Sequence, residues 1–386
     1  STASPQRLAY DKKASHSSKQ WGCGLPEKAW RRPWWSPILA VRKGGIPLQP
    51  AQRRKIAMRK AGRPSILTAA MQPSFQSRPT RRSRLTRRQF VAGMLASIPA
   101  AALGIARPRG PIVDTHVHLF SPDPQRFPFA PNAPYRPAPL AVEDYVRFAL
   151  SVGIDHAVLV HAEPYQDDHR YLEYCFAHEP SPYFFKGTCL FDPTAQETPD
   201  RLAKLVEANP GRIVALRIHE THPPGTPSLT QGPIKDRDLR SPAMKATWRR
   251  VQQLGLAVQM HFLPCYAPQI GELAEQFPDT PVILDHLGRV PQGSSADFAS
   301  VVKLAKLPRA YMKYSNVTSP ALKPTVRRLY DAFGPDRMIW GYFGHDRPSF
   351  DQQVELFDTI FDFASEDDRE KIRGRNALRL FKWSSA

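Results

Sequence analysis

Residues 256–286 read LAVQMHFLPCYAPQIGELAEQFPDTPVILDH. Two short apolar runs, Leu256–His261 and Pro281–His286, flank a longer stretch, Tyr266–Gln276, whose apolar residues recur at three- and four-residue intervals. A short run that stays apolar is a strand buried on both faces, and a helix-bearing crossover is what joins two such strands in parallel. The stretch therefore predicts one strand–helix–strand unit, and each of its strands ends in a histidine.

The same beat recurs on both sides. Strands are predicted at Ile112–Val117, His156–His161, Tyr183–Leu190, Arg212–Ile218, Ala310–Tyr314 and Arg337–Gly341. Helices are predicted at Val142–Ser151, Pro199–Ala208, Ser241–Leu254, Ala296–Leu304 and Pro324–Phe333. Eight parallel strands in the 276 residues that follow Gly110 have the number and length that close an α/β (β/α)8 TIM barrel. No glycine-rich phosphate loop follows the first strand, which argues against a dinucleotide-binding sheet.

The charge is unevenly placed. Of 54 Lys+Arg and 35 Asp+Glu, residues 1–110 carry 23 and 2, a surplus of +21, and the remainder carries 31 against 33. The basicity belongs to the N-terminal part, so the domain does not read as a nucleic-acid binder. Residues 1–70, with WRRPWW at 30–35 and RRKIAMRK at 53–60, are expected to be a disordered basic tail. Residues 71–106 have a basic start, the run Thr86-Arg87-Arg88-Gln89-Phe90-Val91, a short apolar stretch from Phe90 to Ile105 and small residues at Gly104-Ile105-Ala106. That pattern resembles a twin-arginine export signal and implies a periplasmic domain of residues 107–386. No apolar run is long enough for a stable membrane span. Cys23, Cys175, Cys189 and Cys265 are too scattered for a disulfide scaffold or a metal knuckle, and buried thiols are expected.

Chemistry in such a barrel gathers at the C-terminal strand ends. Six of the eight predicted strands deliver a histidine there: His116 and His118 on the first, His161 on the second, His219 and His222 on the fourth, His261 on the fifth, His286 on the sixth and His345 past the eighth. Residues two apart on a strand share a side, so His116 and His118 face one point. A divalent ion such as zinc or manganese held by His116, His118, His261 and Asp346 would lower the pKa of a bound water to about 7. His219-Glu220-Thr221-His222 lacks the helical i, i+4 spacing of the zincin motif, and Pro223-Pro224 rule out a helix there.

Asp114-Thr115-His116-Val117-His118-Leu119-Phe120, Val282-Ile283-Leu284-Asp285-His286-Leu287-Gly288-Arg289 and Met312-Lys313-Tyr314-Ser315 together resemble the amidohydrolase superfamily. The resemblance is to its amidohydrolase-2 branch, and it runs from Pro111 to about Trp383. It implies a hydrolase that opens a lactone or related cyclic ester with activated water. Asp346 would be the general base, with His261 and His286 polarising the carbonyl. The branch also contains metal-dependent decarboxylases, and members that work without a metal. Two departures stand out. The branch commonly ends strand 8 with Gly-Ser-Asp or Gly-Thr-Asp, whereas this chain reads Gly341-Tyr342-Phe343-Gly344-His345-Asp346, and strand 4 has no carboxylated-lysine position, so one metal rather than two is implied. The displaced carboxylate also leaves room for a non-catalytic barrel that binds a small acid.

Arg217, Arg289, Lys313 and Arg347, with His219, are the candidate substrate-binding residues, because arginine suits bidentate recognition of carboxylates. They favour a small-molecule, carboxylate-bearing ester. The proline-rich stretch Ser121–Pro139 directly after the first strand is placed to form a lid or substrate wall.

Overall fold

The computed structural model describes residues 108–224, 226 and 238–383. The basic tail of residues 1–70 and the export signal of residues 71–106 lie outside the described residues. The chain runs β1 (Val113–Val117), α1 (Val142–Val152), β2 (His156–Val160), α2 (Arg170–Ala177), β3 (Phe185–Leu190), α3 (Thr198–Ala208), β4 (Ile213–Glu220), α4 (Pro242–Gln253) and β5 (Ala257–Phe262). It continues α5 (Ala267–Glu275), β6 (Val282–Leu284), α6 (Ser295–Lys303), β7 (Ala310–Tyr314), α7 (Lys323–Phe333), β8 (Met338–Trp340) and α8 (Arg347–Ile360), and ends in two short helices, α9 (Glu366–Glu370) and α10 (Asn376–Leu380).

The strands stand in the order β1 to β8, every neighbouring pair parallel. This is the expected (β/α)8 TIM barrel. Side chains of β1 help close its seam: Thr115 Oγ1 donates to the Trp340 carbonyl at 2.6 Å, and Tyr342 N–H donates to Asp114 Oδ1 at 2.9 Å. The approach is so close that a Cβ on Gly341 would stand 2.7 Å from His116 Cβ. Glycine is required there because no side chain fits.

Strand register sorts the interior into layers. Val113, Val158, Ala215, Ala257, Ile283 and Ile339 form an apolar floor, covered from below by Ala377, Phe381 and Trp383. Above it come Arg217, paired in register with Gln259, and then Asp285 and Lys313. The next layer up carries His219, in register with His261. The opposite faces of the strands, such as Leu216, Ile218, Val258, Met260, Val282 and Leu284, pack under the helices.

Helix ends follow local chemistry. Ser294 and Asp297 form a reciprocal capping box at the start of α6, and Gly153 ends α1 in the left-handed region at φ 78°. Strand ends shift slightly from the sequence expectation: β3 starts at Phe185 rather than Tyr183, and β4 runs on to Glu220. Cys175 and Cys189 are free and buried, as expected, whereas Cys265 departs from the expectation of a buried thiol, being half-buried and disulfide-bonded. Among the described residues no helix is long and apolar enough to cross a membrane.

Candidate active site

The two β1 histidines meet at the mouth. His116 Nε2 lies 3.2 Å from His118 Nε2, and His118 Nδ1 is fixed by the Val160 carbonyl at 2.8 Å. Bonding of one ring nitrogen to a carbonyl sets the tautomer that leaves the other free as a ligand. Two nitrogens bound tetrahedrally to one ion at 2.0–2.1 Å would be about 3.3 Å apart, so this pair stands at ligand spacing.

From β6 the chain passes through an uncommon turn: His286, Leu287, Gly288 and Arg289 have φ of 54°, 57°, 61° and 51°. Three consecutive-turn residues other than glycine in the left-handed region carry a strain of roughly 1–2 kcal/mol each. The turn buries Leu287 in the core and sends both flanking side chains to the mouth. His286 Nδ1 bonds Ser315 Oγ at 2.8 Å and its ring lies 4.7 Å from His116, while Arg289 Nη1 comes to 3.5 Å from His261 Nε2. His261 stands between the rings of His219, at 5.1 Å, and His286, at 5.3 Å.

Asp285 is the hub beneath. Its Oδ2 accepts from Arg217 Nε at 3.1 Å and Gln259 Nε2 at 3.0 Å, and Lys313 Nζ stands 3.5 Å from Oδ1. Burial alone would raise this carboxyl, but Lys313 and Arg217 together hold it below the usual range. Burial pulls Lys313 down to about 8 against the attraction of Asp285. It also lowers Arg289 to about 10, opposed by Glu163.

Glu163, in the turn after β2, was not singled out from the sequence. Its Oε1 lies 3.2 Å from His219 Nε2, 3.9 Å from His261 Nδ1 and 4.0 Å from Arg217 Nη1. Burial raises its pKa against the pull of Arg217 and Arg289. The signal available was its place two residues beyond His161, on a turn that the Pro164 ring fixes.

The imidazoles are neutral. Burial, followed by Lys313, holds His116 well below its ordinary value; burial, followed by Arg217, does the same for His219 and His261. His118 and His286 fall to about 3, chiefly through burial. Neutral imidazole is the form that binds a metal or accepts a proton.

Other expected residues stand elsewhere. Asp346 is exposed and caps α8, accepting from Ser349 N–H at 2.9 Å and Ser349 Oγ at 2.6 Å. Aspartate satisfies an open helix N-terminus so well that the loop does not fold back to bring this carboxylate to the histidines. Arg347 is likewise exposed, paired with Asp351 Oδ2 at 2.9 Å along α8. His161 turns into the helical layer, its ring 4.4 Å from His169. The place of the strand-8 carboxylate is taken by Phe343, whose ring lies 4.9 Å from His116, 5.6 Å from His118 and 5.9 Å from His286.

Among the described residues two groups have ligand atoms close enough for one ion: His116, Asp285 and His286, and Glu163, His219 and His261. His116 Nδ1, His219 Nδ1 and His261 Nδ1 are buried without a hydrogen-bond partner, and His219 Nε2 meets Glu163 without bonding alignment. Buried polar atoms left open in this way ask for a partner. The site therefore fits a divalent ion, best on the His116–His118 side, since Arg217 and Lys313 already claim Asp285. Of the four metal ligands expected from sequence, His116 and His118 are brought together, His261 stands in the second group, and Asp346 is in neither.

The amidohydrolase family profile matches residues 113–383. A 4-sulfomuconolactone hydrolase of Hydrogenophaga intermedia is 28% identical over 287 residues, 69% of this chain and 88% of that one. Its namesake from Rhizobium radiobacter is 27% identical over 301 residues, 73% and 93% of the two chains. In fold, the chain resembles the crystal structure of a probable 2-pyrone-4,6-dicarboxylic acid hydrolase from Acinetobacter baumannii, with a TM-score of 0.56 and 20% identity over 70% of this chain and 99% of that one.

Proposed function

The chain belongs to the amidohydrolase family, and from that premise we propose that it hydrolyses a lactone or related cyclic ester bearing an anionic substituent. The observation that carries the proposal is the mouth itself, where five neutral imidazoles stand beside Arg217, Arg289 and Lys313; it is supported by two relatives of matching length that are named 4-sulfomuconolactone hydrolases. A divalent ion on His116 and His118 would polarise the ester carbonyl or a water.

This chain's residues supply the rest. Arg289 sits at the mouth, its Nη1 3.5 Å from His261 Nε2, and a guanidinium there is suited to orienting an anionic substituent. Glu163 is the carboxylate we assign to the proton, because Asp285 is engaged by Arg217 and Lys313 and Asp346 by its helix. Water oxygen attacks the carbonyl carbon and its proton passes to Glu163. The acyl–oxygen bond of the ring breaks, and the departing ring oxygen takes that proton back from Glu163, leaving a hydroxy acid and Glu163 as it began.

The test compares Glu163→Gln with Asp346→Asn on a panel of anionic lactones. Loss of about 100-fold or more in kcat for Glu163→Gln, with Asp346→Asn near wild type, supports the assignment; the opposite pattern returns the role to Asp346. Carbon dioxide release in place of ring opening would instead indicate the decarboxylase reading, and no turnover beside tight binding of an acid a non-catalytic barrel. Elemental analysis before and after chelation reports whether zinc, manganese or neither is resident. We also propose export through the segment of residues 71–106, supported by its Arg87-Arg88 pattern. Replacing both arginines by lysine should leave the protein in the cytoplasmic fraction.

A further inference from the structure

We propose that Phe343 is a specificity-determining residue, an aromatic platform on which the ring of a flat, unsaturated substrate rests. The inference builds on the proposed lactone chemistry but is tested apart from it.

Four observations converge on this side chain. It continues the inward phase of β8 after Ile339 and Gly341, at the point where the sequence departs from the acidic pattern of its family. Its ring stands nearly perpendicular to three imidazoles, at 72° to His116, 84° to His118 and 78° to His286, so it walls the strand-8 side of the histidine group. It is nevertheless 40% exposed, one of three large apolar side chains in that state among the described residues, and the other two, Leu150 and Tyr183, lie away from the mouth. Finally, its backbone is left-handed, with φ 64°.

Strain of that kind persists only where the surroundings impose it, and here the neighbours do. Tyr342 points the other way, into the helical layer. There its hydroxyl bonds the Asp346 carbonyl at 2.8 Å and Ser349 Oγ, and its ring packs on Phe350. Gly344 follows with no room for a side chain: a Cβ there would meet the Tyr342 ring at 2.4 Å. With Tyr342 anchored and Gly344 folded tightly against it, Phe343 has no alternative to the mouth. A ring held under strain, half in water, above a polar site contributes little to the core. What it offers is an aromatic surface for a ligand at a mouth that also carries Arg289.

The platform is tested with non-hydrolysable probes. Benzene-1,3-dicarboxylate and cyclohexane-1,3-dicarboxylate carry the same charges, one on a flat ring and one on a puckered ring. Calorimetric titration of the full chain should show the flat diacid binding about three- to tenfold more tightly, the ratio that one aromatic contact supplies. Phe343→Gly, which also relieves the left-handed backbone, should abolish that preference without lowering the urea midpoint of unfolding. Phe343→Tyr should keep the preference. An equal flat-to-puckered ratio in wild type and Phe343→Gly, or failure of wild type to bind the flat diacid at millimolar concentration, overturns the proposal. So does loss of stability in Phe343→Gly with the ratio intact, which would make the ring structural. If no lactone turns over but the ratio behaves as described, the hydrolase reading fails and the platform stands.

Discussion

Lowering the pH from about 7 to about 5.5 should cost this barrel much of its stability, and the cause is its neutral histidines. In the folded chain burial holds His118 and His286 near 3 and His161 near 4, against an ordinary value of 6.5. Between those limits the unfolded chain binds protons that the native state refuses. Stability therefore rises with pH through this window and is lost as pH falls below about 6.5. Each such histidine contributes about 1.4 kcal/mol per pH unit once the unfolded form is protonated, so three remove about 3–4 kcal/mol by pH 5.5. Burial raises the pKa values of Glu163 and Asp114, a shift that acts in the opposite direction. The assay is urea unfolding in the presence of chelator at several pH values, with His161→Phe as control. His161 lies in the helical layer, its Nε2 without a hydrogen-bond partner, so the apolar ring should flatten the pH slope by about one proton's worth. Stability that is flat or higher at pH 5.5, or a slope indifferent to His161→Phe, would refute the charge reasoning.

Further outcomes follow from the same contacts. Asp285→Asn leaves Arg217 and Lys313 facing each other without their shared counter-charge, and should destabilise the fold by about 3–5 kcal/mol in chemical denaturation. Gly341→Ala places a methyl 2.7 Å from His116 Cβ and 3.2 Å from His116 N; it should cost about 1–3 kcal/mol and abolish metal uptake measured by elemental analysis. Asp346→Ala removes the α8 cap and should lower stability by about 1 kcal/mol without changing metal content.

The barrel was legible because both faces of its strands are buried. Such strands spell near-continuous apolar runs, and eight of them between helical patterns leave few alternatives. The same continuity hides the phase of each strand. In His156–Val160 nothing distinguishes the residues facing the floor from those facing the helices, so His161 seemed to share the mouth with His118 when it stands on the Leu159 phase, pointing outward. Where polar residues break the run, as Arg217 and His219 or Gln259 and His261 do, phase and layer could both be seen. Four helices lie outside the sequence expectation, the short α9 and α10 and two of the barrel layer, and the latter two do so for local reasons. Arg170–Ala177 carries three aromatic residues in eight and no side-chain N-cap, and Arg347–Ile360 opens on Asp346, a residue whose family resemblance points to a base and whose helix position makes it a cap.

That choice about Asp346 shows how a local demand overrides a family pattern. A carboxylate three residues beyond its usual place can either fold back to the metal side or satisfy the nearest open backbone donors. Here Ser349 N–H lies within reach with no loop to distort, and a cap of that kind is worth about 1 kcal/mol at once. Folding back would forfeit it and would also have to displace Tyr342 from Phe350 and Ser349. Gly341, Tyr342 and Gly344 thus fix the loop before any site residue is considered, and the position they leave facing the histidines holds a phenylalanine. On the hydrolase reading proposed above, the carboxyl group for proton transfer then comes from another strand end. Glu163, beside His219 and His261 and within reach of Arg217, is the one we propose for it.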